Sequence, residues 1–484
     1  MQWYFWVFLI VSMFIFAYLM KLLFKAKLYY FILSIISSKK AVKILDKFKN
    51  NWFWLNISKI GIFLGFGFLG ILYWHWEDIK KRKLKIWLFL LYCAIVLIVG
   101  LFIGNFSVFK NSLFAYIVNV VVFFFFGFAG FGLLLLGYQA FLIIKGYVLG
   151  RSSCPGVAPV IPGVTIPGTN FKIPFFEGWI ALILIMFVHE LSHGILARKL
   201  KIKVKSLGVL LLGFFPIGAF TEPDEEQLKK TKPKKALLVY SAGPTINLVF
   251  ALIVFILFLI LGSIFAGYIT NVQNNSSNGF FLIGLQDYTG ICNFGVNSQN
   301  KNVLNPLFTK LDTNKESFFK NYTAKIISID GNIINTKNDL SNVHKRIVDQ
   351  NKSYSIFVLQ IQDINKNNTF IYDANFAVNS DYSFGIETIQ MQKKDYSFSF
   401  WYLLLIFILT TMQWTYMLSF IIGLFNFMPI KPLDGGAMLP HIVNEFLPEK
   451  AEKKKKEKVI KIVAWTIIVL FLLLLIINAL PLFI

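Results

Sequence analysis

The chain has 484 residues, of which 56% are hydrophobic and 15% charged, where an ordinary soluble domain carries roughly 25% charged residues. That balance, with a mean hydropathy of +0.63, excludes a soluble globular protein and points to an integral membrane protein. The net charge of +23 does not signal nucleic-acid binding: the lysines and arginines gather in loops beside apolar runs, where topology and anionic lipid account for them, and no basic stripe with interleaved aromatics occurs elsewhere.

In chain order, eight windows are apolar over the length a helix needs to cross a bilayer: residues 3–20, 57–74, 86–104, 114–144, 176–197, 236–268, 400–428 and 460–484. The first lacks a basic region before it and a small-residue cleavage site after it, so it reads as a retained span. Residues 1–150 form a phenylalanine-rich group of spans with a basic segment at Lys39–Lys49. A second group, 151–268 and 399–484, carries polar intrusions. Between its halves lies a polar insert at 270–398, rich in Asn, Asp and Ser. Within it, alternation up to Ile329, a tight turn at Asp330-Gly331, a helix over 338–349 and the strand "YSIFVLQI" give the order of a small PDZ-like module.

Orientation follows from the basic loops. "RKLKIKVKS" at 198–206, "LKKTKPKK" at 228–235 and "EKAEKKKKEKVIK" at 449–461 fall on one side if the last spans each cross once, and that side is expected to be cytoplasmic with the insert outside. The loop "EDIKKRKLK" at 77–85 breaks the scheme if every preceding window crosses; either one window lies flat or re-enters, or the bias fails locally. Three cysteines, Cys93, Cys154 and Cys292, are too few for a disulfide scaffold and lack zinc-type spacing. Cys154 and Cys292 either pair in an oxidising space or remain two thiols.

The chemistry lies in "HELSHG" at 189–194. His189 and His193, four apart, stand one above the other on a helix, and Glu190 completes H-E-x-x-H, in which two imidazoles bind zinc and the glutamate is the general base. With five histidines and 25 acidic residues in the chain, a chance match is expected about 10⁻³ times. Ionisable groups at membrane depth are rare unless paired, metal-bound or facing a water-filled cavity. A catalytic zinc takes a third protein ligand. Asp434, in "FNFMPIKPLDGG" at 425–436, is the leading candidate; His441, seven positions on, is an alternative.

Together HELSHG and N-x-x-P-x-x-x-L-D-G-G, here Asn426, Pro429 and Asp434, resemble the signature of the site-2 protease family of intramembrane zinc metalloproteases. "SAGPTINL" at 241–248 is similar to the start of the family's next span, and residues 204–226 resemble its membrane-associated β-hairpin. The resemblance covers about 157–268 and 400–440, with archaeal members nearest. It implies a polytopic α-helical fold: a zinc metalloprotease core with a small α+β PDZ-like external domain. It further implies one Zn²⁺ per chain on His189, His193 and Asp434, Glu190 as base, and Asn426 holding substrate backbone or developing oxyanion. Asn247 either lines the site or bonds neighbouring helices. The expected partners are membrane proteins bearing a transmembrane helix, and the lipid bilayer. Two other classes compete: a metal transporter, against which no internal repeat of the His189 region is found, and a catalytically silent scaffold, against which every expected ligand and the base are kept.

Overall fold

The structure, a computed structural model, describes residues 2–49, 51–105, 113–149, 155–165, 172–213, 215–285, 322–350, 352, 354–363, 369–377, 386–393, 396–448 and 452–482. Among these, seven helices are long and apolar enough to cross a membrane. Helical spans are what a bilayer demands, since a backbone in lipid must satisfy its own N–H and C=O groups.

The amino-terminal half contains α1 (Gln2–Phe24), the strands β1 (Lys27–Tyr29) and β2 (Leu33–Ser38), and the helices α2 (Val42–Phe48), α3 (Phe53–Lys80), α4 (Ile86–Asn105) and α5 (Leu113–Val148). Two of these are not straight. Gly67 interrupts α3 at φ 59°, ψ −140°, and Gly127 interrupts α5 at φ 60°, ψ −152°. Only glycine adopts such a conformation without strain, and here it turns the helix back on itself. In α3 the Phe63 and Trp74 rings, eleven positions apart, meet at 6.3 Å, and Lys59 Nζ lies 5.2 Å from the Trp74 ring. Fifteen residues of straight helix would separate those groups by about 22 Å. In α5, Phe123 meets Phe128 at 5.0 Å and Phe131 at 6.3 Å across the break.

Both windows, 57–74 and 114–144, are thus helical hairpins. The mouth of α3 lies where α6 (Phe175–Lys199) ends and α8 (Pro233–Ser276) begins. Lys199 Nζ donates to the carbonyls of Lys49 and Asn51 just before α3, and Lys234 Nζ donates to the Trp74 carbonyl on its returning arm at 2.8 Å. The mouth of α5 faces the other way. Tyr116 donates to the Leu101 carbonyl near the end of α4, and Asn478, near the end of the last helix, donates to the Leu136 carbonyl at 2.9 Å. The two turns touch: a methyl built on Gly67 would lie 2.7 Å from the Gly127 nitrogen, and one on Gly127 2.6 Å from the Gly67 nitrogen. The loop at 81–85 therefore returns to the face bearing the other basic loops. This removes the conflict in the charge pattern.

Between α6 and α8 lie β3 (Val204–Leu212), β4 (Phe215–Pro223) and the short α7 (Glu225–Lys230), whose start is capped by the Asp224 carboxylate. The expected hairpin at 204–226 is wider than two strands. β1 and β2 extend it to an antiparallel sheet in the order β1-β2-β3-β4. Its turns are sunk beside α1: the Gly213 N–H donates to the Ile32 carbonyl at 2.9 Å, a methyl on Gly213 would meet Met13, and Ser34 donates to the Ala17 carbonyl.

The helix α8 has 44 residues, about 66 Å of rise, and runs past the expected boundary at 268. The insert then forms an antiparallel sheet in the order β10-β5-β6-β8-β9, with β7 paired to β6. These are β5 (Ser277–Leu285), β6 (Tyr322–Ile329), β7 (Asn332–Ile333), β8 (Tyr354–Asp363), β9 (Thr369–Ala377) and β10 (Ile386–Gln392), with α9 (Lys337–Asp349) packed over them. The expected turn is present, with φ of 49° at Asp330 and 76° at Gly331. A capping box between Thr336 and Asp339 starts α9, and its Val343 and Ile347 close a core with Ile326, Phe357, Leu359 and Phe376. Because β5 follows α8 and pairs with β10, the insert leaves and rejoins the membrane core through adjacent strands. The chain ends in α10 (Phe400–Asn426), α11 (Asp434–Phe446) and α12 (Lys453–Ala479). Cys93 is a free thiol; Cys154 and Cys292 lie outside the described residues.

Candidate metal centre

His189 and His193 lie in the carboxyl-terminal half of α6, one turn apart, and Asp434 is the first residue of α11. Two hundred and forty-five positions separate Asp434 from His189, yet the structure brings all three together. Asp434 Oδ2 lies 3.1 Å from His189 Nε2 and 3.3 Å from His193 Nε2, and the two Nε2 atoms are 3.2 Å apart. Ligands held about 2.0–2.1 Å from a tetrahedral zinc stand about 3.3 Å from one another. The near-equilateral triangle fits such an ion. Among the described residues this is the cluster of His, Cys, Asp and Glu side chains able to hold a metal.

The outer nitrogens fix the rings. His193 Nδ1 donates to the Val239 carbonyl at 2.7 Å, leaving the Nε2 lone pair facing the triangle. The amide of Asn247 lies 3.0 Å from His189 Nδ1. Asn247 is fully buried and its Oδ1 has no hydrogen-bond partner among the described residues. An amide turned to put Oδ1 against the ring satisfies both the Nδ1 proton and that oxygen, as expected of a partner behind a metal-binding histidine. Ser419 Oγ donates to the Asn247 backbone carbonyl at 2.8 Å and ties α10 to this point. The two readings of Asn247 therefore merge: it bonds across helices and the ring it grips is His189, one corner of the triangle.

α8 reaches the triangle because Gly243 has no side chain; a methyl there would lie 2.6 Å from His189 Cε1. Glu190 points to β4. Its Oε2 accepts from the Thr221 N–H at 2.8 Å, and its backbone carbonyl accepts from Thr221 Oγ1 at 2.6 Å. The carboxylate next to His189 is thus held by an edge strand of the sheet. Nothing in the sequence singled out Thr221 or the Val239 carbonyl. Both act through proximity across the fold, which local spacing does not record.

Asn426 ends α10, and its Nδ2 donates to the Ile422 carbonyl at 3.0 Å within its own turn. His441 packs its ring against Tyr240 at 6.2 Å and takes no part in the triangle. The amino-terminal face of α6 carries Glu177, and its far end is locked outside the spans: Arg198 makes two 2.9 Å bonds to the Asp46 carboxylate of α2. The Arg198 hydrogen bonds, helped by Lys49, pull the Asp46 pKa down to about 2.

The model of peptidase family M50 matches residues 177–475. An uncharacterised protein of Methanocaldococcus jannaschii is 30% identical over 293 residues, which is 60% of this chain and 62% of that protein. A protein of Borreliella burgdorferi, provisionally named a zinc metalloprotease, is 30% identical over 127 residues, 19% of this chain and 29% of its own length. The chain thus spans less than two thirds of either relative. The family match extends from Glu177 in the helix of His189 through Asp434 into the last helix, and the chain accordingly belongs to peptidase family M50, the site-2 protease family.

Proposed function

We propose that the protein is an intramembrane zinc endopeptidase that cuts membrane-anchored proteins within or near a transmembrane helix and releases their cytoplasmic portions. The observation that carries this reading is the triangle of His189, His193 and Asp434 with Glu190 beside it. One Zn²⁺ held there supplies Lewis acidity, lowering the pKa of water and polarising a scissile carbonyl. Glu190 accepts the proton of the attacking water and returns it to the leaving amine. The Thr221 N–H steadies the carboxylate between these transfers. Asn426, whose amide bonds to the Ile422 carbonyl within its own turn, is the residue proposed to hold the substrate backbone or the developing oxyanion.

A helical substrate must open first, because its carbonyls are already bonded four residues along the chain. The β4 strand, paired on one side with β3, offers the stretch of its other edge that precedes Thr221, whose N–H is taken by Glu190, to an unwound segment by strand addition. The positive-inside pattern supports placing the basic loops, now including 81–85, in the cytoplasm. The metal then lies in the cytoplasmic half of the bilayer and the PDZ-like insert outside. There the insert screens substrates by the size of their external part.

The test is cleavage of a single-span substrate by purified protein, with products mapped by mass spectrometry. Cuts inside the span are expected, a chelator should stop them, and Glu190→Gln should keep its zinc while turnover falls by about 10²–10⁴ or more. Undiminished cleavage by Glu190→Gln would end the proposal.

A further inference from the structure

The two hairpins of the amino-terminal half supply no ligand, yet they grip the segment that does. The residue they hold is Phe427, between Asn426 and Met428, whose side chain is fully buried. On one side Phe128, the first residue of the returning arm of α5, stacks on it at 6.3 Å and 15°. On the other, α3 approaches so closely that a methyl built on Gly65 would overlap the Phe427 ring. Gly65 and Phe128 directly flank the crossing of Gly67 and Gly127, so the contact between the turns fixes the distance between both walls. The backbone of Phe427 then bears on the ligand turn, where a methyl on Gly435 would overlap its carbonyl. Hydrogen bonds from Leu433 to Ile430 and from Gly436 to Leu433, 2.9 and 3.0 Å long, close the intervening chain.

We propose that the paired hairpins form a socket for Phe427 that sets the third metal ligand, making Phe427 and Gly65 positioning residues for Asp434. The proposal rests on the metal-site reading above. His189 and His193 share a helix and keep their spacing by covalent register, whereas the carboxylate arrives from a distant segment and needs an external stop. A small displacement of Asp434 costs metal affinity before it costs the fold, because a metal site tolerates only small departures from ligand geometry.

The experiment measures the zinc dissociation constant of the full-length purified protein by competition with a chromogenic chelator, beside the unfolding temperature of the metal-stripped protein. Gly65→Ala is expected to weaken zinc binding about tenfold. Adding Phe427→Leu, which makes room for the methyl, is expected to bring it back to within about threefold of wild type. Phe427→Leu alone keeps an apolar side chain and provides the test if Gly65→Ala does not fold. It should weaken zinc about threefold while the metal-free unfolding temperature moves by less than about 2 °C. Zinc affinity equal to wild type in either single variant overturns the socket. So does a loss in Gly65→Ala that the second substitution leaves in place, or a loss in Phe427→Leu that comes with a lower metal-free unfolding temperature. A wild-type protein that takes up no zinc overturns the metal-site reading and the socket with it; a wild type that binds, with variants identical to it, overturns the socket alone.

Discussion

In the part of the membrane core built from α6, α8, α10 and α11, the ionisable side chains at depth converge. His189, His193 and Asp434 lie within 3.3 Å of one another, and Val239 and Asn247 back the two rings. In the part built from α3, α4 and α5 the organisation is steric. Its core is rings, among them Phe63, Phe66, Phe123 and Phe128, its turns are glycines in backbone contact, and the buried Asn119 amide and Tyr73 hydroxyl have no hydrogen-bond partner among the described residues. The contrast separates two tasks. One region holds lone pairs where an ion needs them, and the other sets distances by contact between surfaces that cannot be compressed.

The comparison predicts graded consequences. The largest should follow from Asp434→Ala, which removes the proposed third ligand: zinc affinity is expected to fall by more than about a hundredfold, read by metal analysis after dialysis, and cleavage should fall with it. Retained stoichiometric zinc would place the third ligand elsewhere. Asn247→Ala should act more mildly, weakening zinc about 10- to 100-fold, because the His189 ring loses its partner and not its place on the helix. A loss confined to turnover, with zinc affinity unchanged, would make Asn247 a substrate contact.

In the steric region, Gly127→Ala should destabilise the protein by about 1–3 kcal/mol from backbone strain alone, with more from the clash against α3. The check is thermal unfolding in detergent, and an unchanged unfolding temperature would mean that the turns do not bear on one another. The smallest effect concerns the lock on α6. Asp46 is held at a pKa of about 2 against 3.8, so its contribution is present above pH 3.8 and is lost as pH falls from there toward 2. Both partners are about one third exposed, which keeps the effect small. Arg198→Gln should flatten that part of the pH–stability curve; an identical acid limb in the variant would show that the pair contributes nothing.

The two regions also differ in how far the sequence discloses them. The convergence of His189 and His193 was legible because H-E-x-x-H is a local pattern and imidazoles at membrane depth are rare. Asp434 was singled out because Pro432 and two glycines bracket it at the end of a span, and because Asn426, Pro429 and Asp434 match the family signature. The insert was legible because Asp330-Gly331 and the alternation of β6 and β8 are local too. The hairpins were not: Gly67 and Gly127 sit inside helices of 28 and 36 residues, each within an apolar window, and hydropathy does not distinguish a helix that crosses from one that turns back. The misplaced charge of the 77–85 loop was the one trace of the fold-back. Thr221, the β1–β2 extension of the sheet and the socket around Phe427 left no comparable trace, since each depends on contacts between segments distant in the chain.

The proposed activity depends on one ion held by two distant segments and required for cleavage. The direct measurement strips the purified protein with a chelator, returns zinc in steps, and follows cutting of a single-span substrate. Activity should be absent after stripping and should rise to a plateau at one zinc per chain in the wild type, and should not return at all in Asp434→Ala. Full cleavage by the stripped protein, or zinc-restored cleavage by Asp434→Ala, would contradict it.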